Sequence, residues 1–110
     1  MITVNVSNVS ISNVGFVVFL KSTEDDRSLP IFIGVPEAQA IAIELNDVTP
    51  PRPMTHDLMK NVMDILEARL ERVVVHSLEE GTFHGKLILA CEGQEIDVDS
   101  RPSDAVALAL

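Results

Sequence analysis

The chain is 110 residues long, enough for one compact domain and its core but not for two full-sized ones. Apolar residues make up 46% of it, which excludes a disordered chain; with no Trp or Tyr and 4% aromatics, a platform for stacking single-stranded bases is largely excluded too. Seventeen acids against eight bases give a net charge of -9, so the chain has no basic footprint for phosphates, and any nucleic-acid chemistry needs a divalent metal to supply positive charge.

Residues 2–11 alternate apolar Ile2, Val4, Val6, Val9 and Ile11 with small polar residues. Period two predicts a strand with one buried face, and the slip between Val6 and Val9 predicts a bulge or bend. Gly15 follows a polar break, and Phe16 to Leu20 reads as a continuous apolar strand. Lys21 to Ser28 is charged and reads as a hairpin loop; Leu29 to Ile33 returns as a strand. Gly34 to Pro36 ends it. Pro36 suits the first helical position, where its missing N–H costs nothing, and Glu37 suits the positive end of the helix dipole. The helix runs to about Leu45 and is apolar on most sides, which predicts burial.

Prolines at 50, 51 and 53 exclude helix from the next segment. Thr55 is the expected N-cap of a second helix running to about Arg69, with Asp57 in its first turn. Leu58, Met59, Val62, Met63 and Leu66 recur at helical spacing and predict a core-facing stripe. Leu70 to Leu78 reads as a strand, Glu79-Glu80-Gly81 as a turn, and Thr82 to Ala90 as a strand. Glu92-Gly93 turns the chain into a short strand, Glu95 to Val98, and Pro102 opens a third helix. That helix is still apolar at Leu110, so the ordered domain, 1–110, is expected to continue beyond its last residue.

Ile31–Leu45 aligns without gaps on Ile96–Leu110, each segment following an apolar hairpin. The order strand–strand–strand–helix occurs twice around a linking helix. The expected fold class is α+β: a mostly antiparallel, curved or barrel-like sheet with three helices and an internal duplication. A doubly wound sheet is disfavoured because strands and helices do not alternate.

Polar residues interrupt this apolar plan at two helix starts, Pro50–Met59 and Asp97–Ala105. His56 suits a general base or metal ligand near neutral pH. Asp57 reads either as a first-turn cap or as a ligand, and Arg52 on its stiff proline loop as a phosphate contact or a surface ion-pair partner. Arg101-Pro102-Ser103-Asp104 is the sharpest motif. Arg101 matches a carboxylate from Asp57, Asp97 or Asp99 bidentately, or else clamps a phosphate while Asp104 holds a metal. Asp97 and Asp99 share one strand face, as ligands of Mg2+ or Mn2+ do and as solvated residues do. His76 and His84 lack ligand spacing and read as structural or exposed. A shared site requires the starts of the second and third helices to converge. Cys91 is the only cysteine, the first residues read as a strand without the charged and apolar regions of a signal peptide, and no apolar run approaches the roughly 20 residues of a membrane span. The expected compartment is the cytoplasm.

The segments LPIFIGVPEAQAIAIEL, PPRPMTHDLMKNVMDIL, RVVVHSLEEGTFHGKLIL and EIDVDSRPSDAVALAL resemble the bifunctional nuclease domain family across essentially the whole chain. The resemblance implies a small α+β domain that forms a homodimer or higher homo-oligomer, with no membrane, and hydrolysis of RNA or DNA phosphodiester bonds. It carries Glu37, Gln39, Arg52, Thr55, His56, Asp57, Arg101, Ser103 and Asp104 as motif positions. The expected roles are His56, Asp57 and Asp104 in catalysis; Arg52, Arg101 and Ser103 on the substrate; and Asp57, Asp104 and Glu37 on Mg2+ or Mn2+. The competing expectation is a non-enzymatic module that oligomerises or binds a ligand.

Overall fold

The computed structural model describes residues 2–12, 15–77 and 83–110, and the chain divides into two compact units, Met1–Val48 and Thr49–Leu110. In the first unit, β1 (Val4–Ser12), β2 (Gly15–Ser22) and β3 (Ser28–Ile33) form an antiparallel meander followed by α1 (Val35–Leu45). The expected slip in β1 is a bulge: Val6 pairs Leu20 and Asn8 pairs Phe19, leaving Ser7 unopposed. Val17 and Val18 are both buried on opposite faces of β2, in keeping with an unbroken apolar run. α1 packs on β1 and β2 and buries Ala38, Ala40 and Ile41, while Val35 and Leu45 remain exposed. The charged hairpin loop is shorter than its sequence implies, because Ser28 already pairs with Lys21.

The second unit opens with α2 (Thr55–Ile65) and continues through β4 (Arg69–Ser77), β5 (Phe83–Cys91) and β6 (Gln94–Ser100) to α3 (Pro102–Ala109). The turn expected at Glu79-Glu80-Gly81, and Thr82 as the start of β5, lie outside the described residues. β4 also carries a bulge, between Leu70 and Arg72. β5 and β6 are joined by the two-residue turn Glu92-Gly93, both with positive φ (51° and 75°), the left-handed pair that suits the twist of a tight hairpin. α3 packs on β4 and β5. Leu87, Ala105 and Leu108 form the centre of this core, flanked by Leu70, Val73 and Leu89.

The fold class is therefore α+β with three helices, and the order strand–strand–strand–helix does recur. The barrel-like sheet is corrected to two open, three-stranded antiparallel sheets. Two features of α2 also depart from expectation. It ends at Ile65 rather than near Arg69, because Glu67 turns left-handed (φ 58°) and the amides of Glu67 and Ala68 close back on the carbonyls of Asp64 and Met63. Its apolar stripe is not core. Of its members Leu58, Met59, Val62 and Leu66 are exposed and Met63 is half-buried; Ile65 beside them is 80% exposed, and the helix buries only His56. Among the described residues no helix is long and apolar enough to cross a membrane.

Candidate functional site

The three carboxylates expected to act on a metal occupy one and the same local position. Each is the third residue of its helix, and each folds back towards the residue that caps it. Gly34 caps α1, and Glu37 lies over it closely enough that a Cβ on Gly34 would stand 2.5 Å from Glu37 Oε2. Met54 caps α2, where Thr55 was expected, and its N–H donates to Asp57 Oδ2 at 3.0 Å. Asp57 thus satisfies one of the amides that a helix start leaves unpaired, and this reach-back places the cap one residue earlier than Thr55. Arg101 caps α3, and its guanidinium grips Asp104 with two parallel bonds, Nε to Oδ2 at 2.8 Å and Nη2 to Oδ1 at 3.0 Å. Of the acids open to Arg101 on sequence grounds, the bidentate fit falls to one that was not among the anticipated partners. A carboxylate this close to a helix N-terminus also gains from the dipole.

The start of α2 holds one further feature. His56 is only 7% exposed, although a histidine beside a helix cap would ordinarily face water. Its Nε2 lies 3.3 Å from Asp57 Oδ1. One oxygen of Asp57 is therefore fixed by the backbone and the other is presented to a buried imidazole. An aspartate held in this way orients the ring, the arrangement in which a histidine serves as a base towards a bound water. The pair also offers one nitrogen and one oxygen to a cation. This mixed donor set suits Mn2+ better than Mg2+, which prefers oxygen alone.

The other expected site residues have different surroundings. Arg52 is exposed on the Pro50–Pro53 bend before α2. Ser103 is 6% exposed, packed inside the first turn of α3, whereas Arg101 is exposed. α2 and α3 pack within the second unit. Lys60 Nζ donates to the carbonyl of Leu110 at 3.5 Å, so the middle of α2 meets the C-terminal cap of α3, at the end opposite Arg101 and Asp104. Asp97 and Asp99 are exposed on β6, and Lys86 pairs with Asp97 at 3.9 Å.

Two residues of consequence carry no motif. Gly85 on β5 lies beneath the chain entering α3, where a Cβ would stand 3.0 Å from Ser100 Oγ and 3.2 Å from the carbonyl carbon and oxygen of Arg101. Only glycine lets the backbone of Arg101 come this close. Glu44, half-buried in the last turn of α1, sits at the helix end that disfavours an anion; this is the signal by which it could have been singled out.

The chain resembles known proteins over most of its length. It is 47% identical over 94 residues to Uncharacterized protein MT1877 of Mycobacterium tuberculosis (strain CDC 1551 / Oshkosh), and equally to Uncharacterized protein Rv1829 of Mycobacterium tuberculosis (strain ATCC 25618 / H37Rv). In both cases the match covers 86% of this chain and 56% of the relative, so the chain spans about half the length of these curated proteins. The bifunctional nuclease domain matches residues 18–110, from the middle of β2 through α3 and across both helix starts that carry the polar motifs. On that match the chain belongs to the bifunctional nuclease domain family.

Proposed function

We propose that this protein hydrolyses phosphodiester bonds of RNA or DNA with the start of α2 as its reacting centre. The observation that carries the reading is the buried His56 imidazole 3.3 Å from the Asp57 carboxylate, within the motif of a nuclease-related family. His56 takes the proton of the attacking water, and Asp57 fixes the ring and holds Mn2+ or Mg2+. Such a cation supplies Lewis acidity and lowers the pKa of bound water. Arg52, exposed on the adjoining bend, contacts the phosphate. Asp104 as a further metal ligand, and Arg101 and Ser103 on the substrate, belong to the same reading. Those roles require the Arg101–Asp104 pair to open, because both oxygens of Asp104 are engaged. A free Cys91 fits a reducing, cytoplasmic setting.

The test is degradation of labelled RNA and DNA by protein freed of host nuclease, with Mn2+ and with chelator. Wild type is compared with His56→Ala and Asp57→Asn. Activity is expected to need the metal and to be lost in both variants. Cleavage that survives both chelator and His56→Ala would refute the assignment.

A second reading, a self-associating module without catalysis, is favoured by the exposed stripe of Leu58, Met59, Val62, Ile65 and Leu66. Contiguous apolar patches on a soluble protein mark contact surfaces, and the occupant this reading commits to is the same stripe of a second copy. Light scattering on Val62→Glu is expected to find a smaller particle than wild type. An unchanged mass would exclude α2 as the contact.

A further inference from the structure

The other two histidines, His76 and His84, lie far along the sequence from His56, within the segment RVVVHSLEEGTFHGKLIL and outside the helix-start motifs. The register of the β4–β5 hairpin sets His76 directly opposite His84. Directly opposed residues on one face of an antiparallel pair have their Cβ atoms about 4.5–5.5 Å apart, so their side chains meet. The two imidazole rings stand 6.0 Å apart between centroids and are tilted by 38°. Both residues are half-buried, and among the described residues the buried His76 Nε2 has no hydrogen-bond partner. A buried ring nitrogen ordinarily has one, because losing water without a replacement costs free energy.

We propose that His76 and His84 form a chelating site for a borderline transition-metal cation of the Zn2+ or Ni2+ kind. The argument rests on geometry and ligand chemistry. Metal–nitrogen bonds of about 2.0–2.1 Å at a tetrahedral angle put two ligating nitrogens roughly 3.3 Å apart. Nitrogens turned to the facing edges of two rings lie closer together than the ring centres, so rings 6.0 Å apart can be brought to that separation by side-chain rotation. The hairpin backbone already holds both ligands on one face, so little further ordering is needed on binding. Neutral imidazole selects Zn2+, Ni2+ or Cu2+ over Mg2+ and Ca2+, which take oxygen. Two protein ligands leave coordination positions for water or an incoming anion. Binding would satisfy the His76 Nε2, which has no hydrogen-bond partner among the described residues.

The site stands independently of the reading of α2, and the experiment keeps the two apart. Zn2+ is titrated calorimetrically into the full chain as wild type, His76→Gln, His84→Gln and His56→Gln, with folding checked by circular dichroism. The hairpin equivalent is expected to persist in His56→Gln, which removes only a donor at the start of α2. Either hairpin variant is expected to weaken binding by more than about tenfold, the loss that removing even an outer-sphere partner can bring. Because a hairpin variant can lose its fold, imidazole NMR signals of the wild type are followed in parallel. Those of His76 and His84 are expected to shift together as Zn2+ is added. No binding by the wild type, binding unchanged in both hairpin variants, or ring shifts confined to His56 would overturn the proposal.

Discussion

Asp57 carries two separable duties, and two substitutions pull them apart. Asp57→Ala removes the acceptor for the Met54 amide, a bond of 3.0 Å in a partly buried setting, together with the carboxylate beside His56. Loss of a helix-start cap costs about 1 kcal/mol, within a range of about 0.5–2. Loss of a neighbour to a buried imidazole adds to it, for a total of roughly 1–2 kcal/mol. For a domain of this size that lowers Tm by roughly 4–12 °C. Asp57→Asn keeps an oxygen able to accept the Met54 N–H and deletes only the charge, so the expected loss is below about 0.5 kcal/mol. Activity should not follow stability. Both variants lack the anion that orients His56, so both are expected to lose cleavage to a similar extent, about a hundredfold or more. Urea unfolding followed by circular dichroism measures the first axis, and single-turnover cleavage of labelled RNA under stabilising conditions the second. Should Asn destabilise as much as Ala, the backbone bond is not what Asp57 contributes. Should Asn retain full cleavage, the carboxylate has no part in the chemistry.

Three further outcomes follow from the described geometry. Gly85→Ala places a methyl group 3.0–3.2 Å from Ser100 Oγ and the Arg101 backbone, which cannot swing aside, so it is expected to destabilise by roughly 1–3 kcal/mol in urea unfolding. Glu67→Gly relieves a left-handed residue at φ 58°; about 1–2 kcal/mol of strain, less about 0.5–1 for the added freedom of glycine, leaves a gain of roughly 0.5–1 kcal/mol, read as a higher Tm. In the β2–β3 loop, hydrogen bonds from the Arg27 side chain and backbone hold the Asp25 carboxyl down from 3.8 to about 2. Its contribution to stability is therefore present above pH 4 or so and is lost as pH falls towards 2; carboxyl NMR titration should move Asp25 part of the way back to the ordinary range in Arg27→Ala, which removes the guanidinium and keeps the backbone donor.

The β-strands were legible because a strand with one wet face writes its period into the sequence. The slip between Val6 and Val9 is visible as a phase change in that period, and the bulge at Ser7 is its physical form. The meanders were legible from short polar breaks such as Glu92-Gly93. Helix α2 was misjudged because a stripe at helical spacing signals an apolar face without naming its cover; the spacing of Leu58, Val62 and Leu66 is the same whether the face packs inward or stays exposed. Its early end was hidden because Glu, not Gly, takes the left-handed position. The candidate site was legible for a similar reason. Acids three residues into a helix attract notice as ligands, yet that is also the position from which they reach back to the cap, as Asp57 does. The pairing of His76 with His84 depends on hairpin register, which no spacing between them displays.

β6 has consequences for how this acidic protein survives at high concentration. It ends its sheet, and from Gln94 to Asp99 every residue is exposed, with Ile96 and Val98 among them. A strand in that position offers a row of free amides and carbonyls to any other extended chain. Here Glu95, Asp97 and Asp99 alternate with the apolar residues, so two such margins brought together would confront each other with like charge. The deterrent is electrostatic and weakens within a Debye length that salt shortens. Crowded, saline conditions are therefore where fibrillar association through β6 would begin.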